Sequence, residues 1–304
     1  MSRTMMAAAT LCAAIAANCA VAQDQSAADA TPAGETTTGP RHSSEFVPSK
    51  HGFRFVNRFE GVPPLPRSLR DERTTIGAIA KLVAQTAGAQ EASYGLCGGM
   101  SAAAADWFLS GADRPGSTTV PERGSRLFEY LVQRQTDSLG LAGLMAVKFA
   151  EWMVLPDAAD EFGGVEGRTA AELPRLVERL EAGELVPLGL VYTRAGESAI
   201  WNNHQVLAIG CERKGDRTVE IRIYDPNWPG DDDARVRITL THPLGEARGD
   251  EKSAMPVNRA TSKQTGSRGR ERSVRGFFAM PYSPRRIDVG EPEAPAADAR
   301  PPAN

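Results

Sequence analysis

The chain has 304 residues, with 35 Lys and Arg against 38 Asp and Glu, a net charge of −3 at pH 7 and 41% hydrophobic residues. A balance this close to neutral gives no electrostatic footprint for nucleic acid or for an anionic membrane surface. The length is enough for one medium domain with a sizeable core.

From the start of the chain, Met1-Ser2-Arg3 is a short basic opening, an Ala-rich apolar stretch runs over 5–17, and Ala20-Val21-Ala22 precedes Gln23. These are the three parts of a secretory signal peptide, with cleavage expected after Ala22. The apolar stretch is shorter than the roughly 20 residues of a membrane span. Cys12 follows Leu11 and Cys19 follows Asn18, where a lipoprotein signal asks for a small residue. The expectation is an exported protein, periplasmic or secreted, with no integral membrane segment once the signal is removed. Residues 23–48 have almost no large apolar side chain and are expected to form a flexible leader. Residues 283–304, with Pro292-Glu293-Ala294-Pro295 and Arg300-Pro301-Pro302, have the character of a disordered tail. The domain is expected between them, over 49–282.

Within it, Phe53-Arg54-Phe55-Val56 alternates briefly and predicts a short strand. A helix is expected over 74–87, with Ile76, Ile79, Ala80 and Val83 on one face and Thr74 or Thr75 as N-cap. The next starts at Cys97, where Met100, Ala103, Ala104, Trp107 and Phe108 keep helical spacing up to Gly111. Helices are also expected over 125–135, 138–152 and 169–182, the last with Leu173, Leu176, Val177 and Leu180 on one face and Pro174 in its first turns. The period then drops to two, and strands are expected over 186–192, 204–211, 218–224, 236–240 and 274–280. Lys214-Gly215-Asp216 and Pro229-Gly230 supply turns. Residues 259–275 hold six basic side chains against Glu271 alone and read as a solvated surface loop. Helices first and neighbouring strands later describe an α+β domain around an antiparallel sheet.

Gly98 and Gly99 are poor helix formers placed in the opening turn of a helix, which calls for a reason. Free N–H groups and the positive dipole end there favour a thiolate at Cys97, and glycines let a substrate backbone approach the sulfur. A lone cysteine in such a turn also reads as a structural thiol. Two later stretches add to it. Asn202-Asn203-His204-Gln205-Val206-Leu207 opens one strand, and Ile223-Tyr224-Asp225-Pro226-Asn227-Trp228 closes the next. In a hairpin, His204 and Asp225 lie side by side, giving a base and the acceptor that fixes its tautomer. A thiolate facing that histidine completes a nucleophile, base and orienter. The histidines are His42, His51, His204 and His242, and no Cys/His cluster has zinc-like spacing. No metal and no cofactor are expected. Asp225, Asn227 and Asp231-Asp232-Asp233 offer calcium-type oxygens without EF-hand spacing, so the acidic run reads as a solvated turn. Trp201 and Trp228 flank the site as a water shield, a substrate wall or ordinary core.

Gly95-Leu96-Cys97-Gly98-Gly99-Met100, Asn203-His204-Gln205-Val206-Leu207 and Tyr224-Asp225-Pro226-Asn227 resemble the papain-like cysteine peptidase clan. The resemblance is nearest to the bacteriocin-processing, double-glycine-type peptidases and their exported relatives. It implies a papain-like α+β fold, in which a helical N-terminal half carries the buried nucleophile helix against a C-terminal antiparallel sheet. It also implies Cys97 as nucleophile, His204 as general base and then acid, and Asp225 as orienting group. The implied chemistry is thiol hydrolysis at peptide or amide bonds of a peptide or cell-wall peptide. The clan usually takes an oxyanion-hole Gln six residues before the nucleophile, where this chain has Glu91, and a carboxylate there opposes a developing oxyanion. Gln90 serves only if the loop is one residue longer, and Asn227 and Trp201 are further candidates for oxyanion or substrate contacts. Two other readings stay open: a degenerate module that binds peptide or cell-wall fragments without turnover, and a transglutaminase-like acyl transferase.

With Cys12 and Cys19 lost in the signal peptide, Cys97 and Cys211 remain. On one straight strand His204 and Cys211 lie roughly 23 Å apart at about 3.3 Å per residue. One thiol cannot reach both, and the odd spacing puts Cys211 on the opposite sheet face from His204. Cys97 is therefore expected free and Cys211 inert and packed.

Overall fold

The computed structural model of this chain describes residues 43–61, 93–140, 143–159, 164–198, 200–244 and 258–287. The expected signal peptide, the helix expected over 74–87, Gln90 and Glu91 lie outside the described residues. Residues 43–48, expected in the leader, belong instead to the folded body. Phe46 is fully buried, its ring 5.2 Å from that of Phe108 and 6.0 Å from that of Tyr224. A single large aromatic ring supplies the apolar area that the preceding composition lacks. It is followed by a short helix, α1 (Pro48–His51). Phe53 and Phe55 are buried while Arg54 and Val56 are exposed, so the alternation there governs burial, but no strand forms. Pairing comes later, between β1 (Phe59–Glu60) and β2 (Ser93–Tyr94).

Helix α2 (Cys97–Ser110) begins and ends where its spacing predicts, with Gly111 as a left-handed C-cap (φ 74°). It is buried from Gly98 to Phe108, which suits an Ala-rich helix with no polar stripe. Helix α3 (Arg126–Ser138) starts after Ser125, whose Oγ accepts the Phe128 N–H at 3.3 Å. Helix α4 (Leu144–Val154) starts later than the expected 138, because Gly140 and Gly143 turn the chain through positive φ (73° and 76°). Helix α5 (Gly164–Glu181) starts earlier than expected, and Pro174 stands well inside it rather than in the first turns. The Val165 and Glu166 N–H groups donate to Pro156 O and Asp157 O, which extends the helix backwards. Burial of Leu173, Leu176, Val177 and Leu180 offsets the intrahelical bond that proline removes.

Seven strands follow in one antiparallel sheet: β3 (Val186–Val191), β4 (His204–Arg213), β5 (Thr218–Tyr224), β6 (Arg235–Leu240), β7 (Ala260–Thr265), β8 (Glu271–Val274) and β9 (Gly276–Ala279), in the order β8-β7-β6-β5-β4-β3-β9. The basic stretch over 259–275, expected to be a loop, therefore contains β7 and β8. Its charge pattern hid the strands because β7 buries only Ala260 and Gln264 and is held by ladder bonds to β6 and β8. The expected last strand splits at Arg275, which donates to Asp157, Trp152 O, Thr193 O and Leu155 O.

One apolar face of the sheet carries Leu188, Leu190, Val206, Ala208, Ile221 and Ile223 and packs on α5. The other carries Leu207, Ile209 and Tyr224 and packs on α2 with the aromatic residues at 46–59. This is an α+β domain with a curled antiparallel sheet, helix-covered on both sides. Among the described residues no helix is long and apolar enough to cross a membrane. A bulge in β4 shifts its register against β5 between Ala208 and Gly210. Beyond it Cys211 packs on the same side as Val206 and Ala208, so the expected alternation, which put Cys211 on the face opposite His204, does not hold. The expected tail also starts too early. Ser283 O accepts from Arg134 Nη2 at 3.1 Å, and the Arg285 N–H donates to Asp106 Oδ1 at 2.9 Å.

Candidate active site

The site starts from the β4–β5 hairpin, closed by the Lys214 N–H donating to Thr218 O at 2.8 Å. Its register sets Leu207 opposite Tyr224, which brings Asp225, one residue past β5, beside His204 at the head of β4. His204 Nε2 and Asp225 Oδ1 are 2.7 Å apart, and both side chains are buried, at 4% and 2% exposure. The Cys97 side chain is the second group that acts on this ring. Because Nε2 is engaged by Asp225, the ring atom left for the thiol is Nδ1. Asp225 Oδ1 also accepts the Asn227 N–H at 2.7 Å, and Oδ2 accepts Gln264 Nε2 at 2.5 Å. On the far side of His204 the Tyr192 ring stacks at 6.4 Å and 20°. The Tyr192 hydroxyl donates to Gln264 Oε1 at 2.5 Å, and the Arg272 guanidinium sits 3.5 Å over the Tyr192 ring.

Burial disfavours the charged form of His204, but the Asp225 charge, its hydrogen bond and Cys97 outweigh that and raise the ring to about 10. Burial alone raises Asp225, and His204, the Asn227 N–H and Gln264 together bring it below the usual carboxylate range. Burial and the Asp225 charge push Tyr192 upward, so its hydroxyl keeps its proton and acts as a donor.

Cys97 is the half-buried first residue of α2, and its N–H is one of the four that an α-helix leaves without an intrahelical acceptor. The turn before it is held by Asn57, whose Oδ1 accepts the Leu96 N–H at 2.6 Å and whose Nδ2 donates to Asn227 Oδ1 at 3.1 Å. The two glycines answer to packing rather than to substrate access. A Cβ on Gly98 would fall 2.3 Å from Ser138 Oγ and 2.4 Å from Gln205 Oε1, and one on Gly99 would fall 2.1 Å from Leu131 O. Both positions are buried against α3 and β4, so the expectation that they open the sulfur to a substrate backbone is corrected. Gln135 Oε1 accepts the Gly99 N–H at 3.0 Å, a second tie from α3 to this turn.

The structure thus brings Cys97, His204 and Asp225 together. Asn227, expected as an oxyanion or substrate contact, has its N–H on Asp225 and its side-chain oxygen on Asn57, so it buttresses the carboxylate instead. Trp201 lies in the turn Ile200–Asn202 that leads into His204. Trp228 is half-buried beneath the Arg270 guanidinium, 5.1 Å from it. Asp232 and Asp233 of the acidic run are exposed in a turn, as expected, whereas Asp231 is not. Asp231 is buried, with Arg270 at 2.7 Å and the Ser267 N–H on its carboxylate, and Asp232 accepts from Ser49 N–H and Oγ at 2.8 and 2.7 Å. Among the described residues no group of three His, Cys, Asp or Glu is arranged to hold a metal ion. Both Cys97 and Cys211 are free thiols, and burial raises that of Cys211.

Asn57, Tyr192 and Gln264 escaped sequence reading. Asn57 lies just past the expected strand 53–56, Tyr192 looks like an ordinary strand end, and Gln264 falls in the stretch expected to be a loop. Comparison with family models, with curated proteins and with solved structures finds no match to this chain.

Proposed function

We propose that the chain is an exported papain-like thiol hydrolase acting on peptide or amide bonds through Cys97, His204 and Asp225. The observation that carries this is the buried pair of His204 Nε2 and Asp225 Oδ1 at 2.7 Å, with the Cys97 side chain acting on the same ring. Asp225 holds the tautomer and stabilises the protonated ring. In the acylation step His204 holds the proton as the Cys97 sulfur attacks the carbonyl carbon. The developing oxyanion meets the Cys97 N–H at the head of α2. His204 then protonates the leaving amine, leaving a thioester on Cys97. Water, deprotonated by His204, attacks that thioester, releases the acid and restores the thiol. The secretory pattern of residues 1–22 supports export.

The test is hydrolysis of a mixture of fluorogenic peptide amides by the mature chain and by Cys97→Ala. Loss of turnover in the variant, with retained capture of the cleaved peptide, supports the reading. Equal turnover by both proteins overturns it.

A further inference from the structure

We propose that Gln264 is a positioning residue: braced by Tyr192, its amide fixes the Asp225 carboxylate in the plane that meets His204. The inference rests on the proposed roles of Cys97, His204 and Asp225.

Gln264 lies on β7, separated from β5 by β6, and it is 1% exposed, so its contact with Asp225 is made by the side chain across the sheet. A buried carboxylate only accepts hydrogen bonds, so the amide atom facing Oδ2 at 2.5 Å must be the NH₂. That leaves Oε1 facing the Tyr192 hydroxyl, which donates to it at 2.5 Å. The amide therefore has one orientation, set from both ends. The bonds run from Tyr192 to Gln264 to Asp225, and the carboxylate receives His204 on its other oxygen. Oδ1 is shared between His204 and the Asn227 N–H, whereas Oδ2 has Gln264 as its side-chain donor. Removing Gln264 leaves Oδ1 as a pivot and frees the carboxylate to rotate out of the ring plane.

The strand that carries Gln264 is itself anchored. The turn after β7 is pinned where Asp231 accepts the Ser267 N–H at 3.0 Å and pairs with Arg270 at 2.7 Å. This gives a buried amide in a mostly polar strand a specific task, where packing alone favours an apolar side chain. The titratable and charged groups facing His204 are Asp225, Cys97 and Tyr192, with Arg272 beyond the Tyr192 ring.

The experiment uses the full mature chain labelled with ¹⁵N-histidine, as wild type, Gln264→Met and Tyr192→Phe. The His204 ring is titrated by NMR, and Cys97 carbamidomethylation by iodoacetamide is timed at pH 7. Gln264→Met should lower the His204 midpoint by about one unit and slow Cys97 alkylation about tenfold. Tyr192→Phe, which keeps the stacked ring and removes one oxygen, should move both in the same direction by less. A folded Gln264→Met with the wild-type midpoint and rate overturns the proposal. If Gln264→Met does not fold, an unchanged midpoint in Tyr192→Phe overturns it alone. The ring titration needs no turnover. A wild-type Cys97 no more reactive than Cys211 therefore defeats the hydrolase reading, while the midpoint shift still decides the role of Gln264.

Discussion

Asn57 ties the turn before the thiol to the turn that carries Asp225. Its Oδ1 accepts the Leu96 N–H at 2.6 Å, its Nδ2 donates to Asn227 Oδ1 at 3.1 Å, and its own N–H donates to Pro226 O at 3.0 Å. A Cβ on Gly95 would come within 2.7 Å of the Asn57 side chain, so that glycine is what lets the amide in. Asn57→Leu keeps the volume and strands the Leu96 N–H. The expected loss is about 1–3 kcal/mol by urea unfolding and about tenfold in Cys97 alkylation rate. Wild-type alkylation in the folded variant shows that the clamp does not align the thiol.

The contact of Gly99 with Leu131 O sets how closely α2 and α3 approach. Gly99→Ala must push the two backbones apart and is expected to destabilise by about 1–3 kcal/mol or more. Gly116→Ala is the control, with nothing within 4 Å of its Cβ, and should stay within about 0.5 kcal/mol of wild type. Similar melting temperatures for the two variants contradict this packing.

The His204–Asp225 pair has a definite pH signature. The folded value of His204 lies above its ordinary 6.5, so its stabilising contribution is full below 6.5 and disappears as pH rises through about 10. The folded value of Asp225 lies below its ordinary 3.8, so its contribution is present above 3.8 and disappears as pH falls through the lowered value. The stability gap between wild type and His204→Gln should therefore be widest between about pH 4 and 6.5 and narrow on both sides. Urea titrations across pH 3–10 measure it, and a gap independent of pH contradicts the pairing.

Asp106 fastens the segment that follows β9. Buried on α2, it accepts from the hydroxyls of Tyr130 at 2.8 Å and Tyr282 at 3.0 Å and pairs with Arg134 at 2.8 Å. Asp106→Ala leaves a buried guanidinium short of a partner, at an expected cost of about 3–5 kcal/mol. It should also expose Arg285 and Arg286 to trypsin. Unchanged cleavage at those sites means that residues 281–287 are held by something else.

The legible parts of the fold were those in which side chains report their own burial. Leu173, Leu176, Val177 and Leu180 revealed a helix, and Val219, Ile221 and Ile223 a strand, because each face packs on a core. β7 was illegible, since Gln264 is buried for a hydrogen bond rather than for area and the strand is held by its backbone. Cys97, His204 and Asp225 were readable because a glycine-flanked cysteine and two strand ends keep their local patterns. Their supports were not. Asn57 meets Leu96 and Tyr192 meets Gln264 across long stretches of chain, and no local spacing encodes either contact. The β4 bulge likewise undid a parity argument that is sound for a regular strand.

The most direct measurement is the carboxymethylation rate of each thiol at pH 6, read by peptide mass in the native mature protein and in His204→Ala. The expected result is that Cys97 reacts far faster than Cys211 and faster than a free thiol, and that His204→Ala abolishes the difference. Equal rates for Cys97 in the two proteins, or a Cys97 no faster than a free thiol, would contradict a nucleophile activated by His204.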